Sequence, residues 1–218
     1  MNNLKTAFSL LLIVFFAFFV RIYKVADNPP GLYWDEVALG YDAYLILTTG
    51  RDQHGKIPLT YLTSFGDYKN PLYVYCLVPL LKIFGPTNFT VRLPAVLAGV
   101  LTVISIFFLV KRIVPKPDNE KIALLSAFLL AINPWHIHFS RVAFEANLYV
   151  FILTASITSL YYALTNLLYL PLGFLFIGLL PYSYHSGKLM VPFVILSALT
   201  LILKNRILIL MLILSIEI

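Results

Sequence analysis

Asp35 and Glu36 stand side by side directly after Trp34, within a run of acids (Asp27, Asp35, Glu36, Asp42, Asp52, Asp67) that holds six of the chain's ten acidic residues. A carboxylate fixed rigidly at a membrane surface can take a proton from a hydroxyl group. The structural alternative for Asp35 is a helix N-cap, with Glu36 favoured in the first turn by the helix dipole. The two roles are compatible, because a cap also fixes the carboxylate. Further along, Lys69 and Arg92 each border an apolar segment, Arg141 and Glu145 are four residues apart, and the polar cluster from Tyr182 to Lys188 carries His185. Each has a plain reading: Lys69, Arg92 and Lys188 as anchors whose stems snorkel to the membrane surface, Arg141 and Glu145 as an ion pair on one helix face. His136 and His138, two apart, cannot share a helix face and read as interfacial hydrogen-bonding groups rather than metal ligands.

The elements that must position these residues are set by the bilayer. Of 218 residues, 60% are apolar or aromatic and 12% charged, and mean hydropathy is +0.87. A soluble domain carries about a quarter charged residues. The composition therefore specifies a membrane protein and excludes a cytosolic enzyme or a free nucleic-acid binder, despite a net charge of +6. Cys76, the single cysteine, has no partner for an internal disulfide and belongs to no thiolate set for zinc. A helical crossing needs about 20 apolar residues. The sequence predicts spans at 6–23, 93–110, 122–139, 148–164, 167–180 and 189–203, and a last apolar run at 207–216. That run would cover only about 18 Å to the chain end, so the expectation is the N-terminal part of a longer protein.

Basic residues cluster at 111–121 and 204–206, predicting two cytoplasmic loops with four spans between them. The segment 71–85 is apolar but short and interrupted by Pro79 and Lys82, so it is expected in the interface rather than across the membrane. On that topology residues 24–92 form an extracytoplasmic loop. Within it Val37, Tyr41, Tyr44, Leu45 and Thr48 recur at helical spacing, the pattern of a helix lying along an apolar surface, with Gly50 ending it.

The motifs Gly31-Leu-Tyr-Trp-Asp-Glu36, Tyr68-Lys-Asn-Pro-Leu72, Phe84-Gly85, Val91-Arg-Leu-Pro-Ala95, Asn133-Pro-Trp135 and Ser140-Arg-Val-Ala-Phe-Glu145, in that order, resemble the GT-C glycosyltransferases. Among these, the protein O-mannosyltransferases and the aminoarabinose transferase of lipid A are the most similar branch. The resemblance implies an all-α, polytopic transmembrane bundle with amphipathic interfacial helices in the first outer loop, residues 1–218 forming one N-terminal module in a plasma or inner membrane. It implies transfer of a sugar from a polyprenyl-phosphate donor to an acceptor hydroxyl of a lipid, glycan or protein on the extracytoplasmic face, with inversion at the anomeric carbon.

The family's catalytic acid falls on Asp35, with Glu36 in support. Lys69 matches the lysine of a Lys-Pro-Pro-like motif that contacts the lipid phosphate, with Asn70 replacing the first proline. Arg92, Arg141 and Lys188 are the further candidates for donor phosphate, and Glu145 and His185 for contact with the sugar or a divalent metal ion, the one cofactor the resemblance leaves open. No Gly-rich phosphate-binding pattern supports a nucleotide-sugar donor. The competing readings are a transporter or scaffold without chemistry, and an inactive fragment of the enzyme.

Overall fold

The computed structural model describes residues 3–57, 60–64 and 66–216, with side chains from residue 4 to residue 200 of those segments. The protein is an all-α membrane bundle arranged around one long helix, α4 (Asn88–Ile113, 26 residues). Thr87 opens α4 by accepting the Thr90 N–H at 3.2 Å, and Lys111 and Arg112 lie in its last turn, where cations suit the dipole.

On one side α4 meets α1 (Asn3–Ile22) and α5 (Asn119–Ile132). Ala123, Ala127 and Ala131 are fully buried there with Ala17, Val103 and Phe107. An alanine every fourth residue lets helix backbones approach closely, which matters in lipid because packing, not a hydrophobic difference, drives helix association. On the other side α4 meets α7 (Glu145–Ala163), which packs on α8 (Leu170–Ser183) and α9 (His185–Ile216).

Across one end of this bundle lie α2 (Trp34–Thr49), the antiparallel strands β1 (Leu62–Ser64) and β2 (Asp67–Lys69), and α3 (Leu72–Phe84). Leu39, Ala43, Leu62, Tyr73 and Leu77 form their shared core with Ala95 and Ala98 of α4. Gly50 closes α2 in the left-handed region (φ +71°), its N–H donating to Ile46 O at 3.0 Å, a conformation that glycine adopts without steric cost. α6 (Pro134–Phe139) bridges α5 and α7.

Three helical stretches, Leu4–Ile22, Asn88–Ile113 and Glu145–Ala163, are long and apolar enough to cross a membrane, with shorter apolar helices at Leu72–Phe84, Leu167–Ser183 and His185–Thr200. They correspond to the spans expected at 6–23, 93–110 and 148–164, the first and third ending one residue earlier than expected. The span expected at 122–139 is instead divided. α5 ends at Ile132 and Asn133 becomes the N-cap of α6, accepting the His136 N–H at 2.9 Å. Pro134 explains the break, since the residue before a proline is driven out of the helical region. The loop expected at 204–206 is continuous helix: Lys204, Asn205 and Arg206 include no glycine or proline to break it. The two-stranded hairpin is also an addition to the expected helices.

The stripe on α2 faces outward. Val37, Tyr41 and Tyr44 are exposed, while Glu36, Ala38, Leu39, Asp42 and Ala43 are buried. The apolar face recognised in the sequence is therefore not the face that packs on the protein.

Candidate active site

Arg92 and Glu36 organise the entry to α2. Arg92, 1% exposed, donates from Nε and Nη2 to the two Glu36 carboxylate oxygens at 2.9 and 3.0 Å. Nη1 donates to Val25 O and Pro29 O at 2.8 Å each, and Nη2 also to Gly31 O. All five N–H groups of a guanidinium are thereby used. Glu36, equally buried, further accepts the Tyr33 N–H at 2.9 Å and the Ala143 N–H at 2.8 Å. One carboxylate thus joins the chain before α2, the α2 N-terminus and the α6–α7 connection.

That anchoring sets the direction of the neighbouring residue. Asp35 is not the N-cap, as the sequence suggested. Tyr33 holds that position, and the reciprocal contact to its N–H comes from Glu36 at the third helical position, where an acid can reach back. With the capping task on Glu36, the Asp35 side chain remains 52% exposed and pairs with Lys69 Nζ at 2.5 Å.

Lys69 is delivered by the hairpin. Its register pairs Leu62 with Lys69, Gly66 turns the chain at φ +79°, and fully buried Leu62 pins the hairpin to the core. Asn70 then ties this end to α8 by donating from Nδ2 to Pro181 O at 2.7 Å. Glu145, at the start of α7, brings a carboxylate whose Oε1 is buried without a partner.

The result is a cleft of about 350 Å³. Asp35, Asp67, Lys69, Glu145, Tyr184 and His185 line it, over an apolar wall that includes Phe139 and Phe144. Next to it Asp42, which accepts the Gln53 N–H at 3.3 Å, has its carboxyl pushed up, first by burial.

Four of the eight residues singled out by the sequence, Asp35, Lys69, Glu145 and His185, therefore meet in one cleft. Glu36 lies behind it and Arg92 faces away. Arg141 is also elsewhere: it donates to Val20 O, Arg21 O, Lys24 O and Asn28 O, holding the end of α1, and its guanidinium pKa is lowered, chiefly by burial and then by Arg92. The expected Arg141–Glu145 ion pair is absent, because α7 starts only at Glu145 and the two do not share a helix. Lys188 is exposed on the first turn of α9, three residues past His185, and does not line the cleft.

Asp67 and Tyr184 were not singled out. Asp67 lies two residues before Lys69 in β2, and that period places both on one strand face, a signal readable only once the strand is known. Among the described residues no group of three His, Cys, Asp or Glu is placed to hold a metal ion. The arrangement can hold a base and a cation against a substrate at the mouth of a polar cleft.

The family model of the dolichyl-phosphate-mannose-protein mannosyltransferases matches residues 68–218, which is more than half of the chain and begins one residue before Lys69. No curated protein and no solved structure matches the chain.

Proposed function

Because the chain belongs to the dolichyl-phosphate-mannose-protein mannosyltransferase family, a family of membrane glycosyltransferases, we propose that its cleft transfers a sugar from a polyprenyl-phosphate donor to an acceptor hydroxyl. Asp35 takes the proton of the hydroxyl. The acceptor oxygen forms a bond to the anomeric carbon from the face opposite the leaving group, inverting it, and the bond from that carbon to the phosphate oxygen breaks with its electron pair staying on the lipid phosphate. Lys69 stands against the charge that grows on this phosphate. Glu145 and His185, on the α7–α9 wall, bind sugar hydroxyls, and the buried unpartnered Oε1 of Glu145 supplies an acceptor for one of them. Arg92 and Arg141 act on the backbone rather than on the donor. The observation that carries this reading is the Asp35–Lys69 pair at the mouth of the cleft, a base and a phosphate-binding cation brought together across 34 residues of sequence.

Lys69→Met tests the cation. A donor diester carries one negative charge and the released monophosphate nearly two. At 4 Å and an effective dielectric of about 20, a full unit of charge is worth about 4 kcal/mol. With about half of it developed at the transition state, kcat should fall roughly thirty-fold, and donor KM should rise as well, because the charge already on the diester loses the same cation. The readout is lipid-phosphate release by the protein in detergent. Lys82→Met, on exposed surface of α3, is the control and should be neutral. Equal small effects from both would make Lys69 an anchor.

The same reading places residues 24–92 and the cleft on the extracytoplasmic side of a plasma or inner membrane. Cysteines introduced singly at the exposed positions Lys56 and Lys116, with Cys76→Ser, should differ in intact cells. An impermeant thiol reagent should label the first and spare the second. The reverse pattern would put the cleft in the cytoplasm.

A further inference from the structure

α4 and α8 each pack on α7 but hardly meet each other, which leaves a groove of about 280 Å³ along α7. α7 contributes Phe151, Thr158 and Tyr162 to it, α4 Ser105 and Phe108, and α8 Phe176. The larger polar side chains turn their hydroxyls to the protein: Thr158 Oγ1 donates to Thr154 O at 2.7 Å and Tyr162 Oη to Phe108 O at 3.4 Å. What faces the groove is mainly rings and methyl groups. From Phe151 to Tyr162 it runs about 16 Å along α7, the depth of one leaflet of a hydrocarbon core about 30 Å thick.

A cation stands at one end of this groove. Arg112 lies one turn beyond Phe108 on α4, and its guanidinium sits over the Tyr162 ring, 5.9 Å from the centroid. Nε donates to Tyr161 O at 3.2 Å and Nη2 to Thr165 Oγ1 at 3.1 Å, so α7 fixes the group while Nη1 has no acceptor among the described residues. Nearby cations are balanced, Lys111 by Glu120 at 2.9 Å and Lys121 by Asp118 at 3.6 Å, whereas Arg112 pairs with no carboxylate. An uncompensated positive charge thus borders an apolar slot one leaflet deep. A free anion answers only the charge, and a neutral lipid only the slot. A zwitterionic headgroup also brings an ammonium into the same positive field. A lipid with net negative charge answers both. Its headgroup is distinct from the phosphate at Lys69, because Glu145 in the cleft and Tyr162 are about 25 Å apart along α7.

We propose that this groove binds an anionic glycerophospholipid of the leaflet opposite the cleft, with one acyl chain between α4, α7 and α8 and a phosphate oxygen accepting from Arg112. The chain fills the space that α4 and α8 leave open between them. The site stands on its own geometry and holds whatever reaction the cleft performs.

The test reads binding without turnover. The protein is placed in phosphatidylcholine nanodiscs with a trace of phosphatidylglycerol or of phosphatidylcholine carrying a diazirine in the acyl chain, illuminated, and the adducts are mapped by mass spectrometry. Adducts on the groove segments around Phe108, Phe151 and Phe176 should favour the phosphatidylglycerol analogue roughly fivefold. Those on the exposed α5 face at Leu125 and Phe128 should show no preference. Arg112→Gln should abolish the preference and Arg112→Lys keep most of it. Ser105→Phe, which puts a ring into the groove and leaves Arg112 in place, should remove the groove adducts. Equal yields from the two analogues on the unsubstituted protein would overturn the proposal without reference to any variant. So would a preference that survives Arg112→Gln. Displacement of the groove adducts by excess polyprenyl phosphate but not by excess phosphatidylglycerol would give the groove to the donor's tail and overturn it as well.

Discussion

Asp35→Asn is expected to lower turnover by roughly 10² to 10⁴ in a protein that still folds. The asparagine keeps the shape of the side chain and an acceptor oxygen for Lys69 but has no basicity with which to take the acceptor's proton. Folding is spared for reasons visible in the structure. Asp35 is half exposed, it is not the N-cap, and a partly exposed ion pair contributes about 0–1 kcal/mol. Lipid-phosphate release at saturating donor, with the thermal midpoint in detergent measured alongside, checks both statements. Parent-like turnover by Asp35→Asn would remove the base from Asp35.

Arg92→Met should have the opposite signature: loss of the fold before loss of chemistry. The substitution leaves Glu36 buried with its charge uncompensated, and breaking one partner of a buried pair costs about 3–5 kcal/mol. It also strands the carbonyls of Val25, Pro29 and Gly31, which Arg92 serves. Glu36→Gln should be almost as damaging. Its amide nitrogen would face either Arg92 and Tyr33 or Arg92 and Ala143, all of them N–H donors. In the sequence Glu36 reads as a minor supporting residue, so this expectation reverses the ranking of the two acids for stability while leaving it intact for catalysis. Arg141→Met is the comparison: its guanidinium is partly exposed and pairs with no carboxylate, and its loss, which frees carbonyls that water can reach, should cost about 1–3 kcal/mol, less than that of Arg92. Thermal melts of the three variants in one detergent decide the order.

Residue type, more than position, made the cleft legible. Asp35, Lys69, Glu145 and His185 were recognisable as charged or ionisable groups bordering apolar segments, and the family resemblance gave them roles. The Arg92–Glu36 pair was not recognisable, because it joins residues 56 apart and no local period carries that information. The stripe Val37, Tyr41, Tyr44 was legible as a helical face, and it lies exposed on the protein; that Ala38, Leu39 and Ala43 form the face packed on the protein was not legible. In a membrane protein lipid and protein interior are both apolar, so periodicity alone does not say which of them a face meets. The hairpin escaped because strands of three residues are too short to show alternation. The division at Asn133-Pro134 was written in the sequence, but hydropathy summed over 122–139 outweighed it.

The 2.5 Å contact between Lys69 and Asp35 has a consequence for the idle protein. While the two hold each other, the base is charge-balanced, and a water molecule entering the cleft meets a carboxylate already engaged. Only an anion can compete for the lysine on equal terms, since a neutral sugar or peptide offers it far less. On the proposed reading of the cleft, arrival of a charged headgroup is thus the event that releases the carboxylate, which orders the two substrates by charge, donor before acceptor.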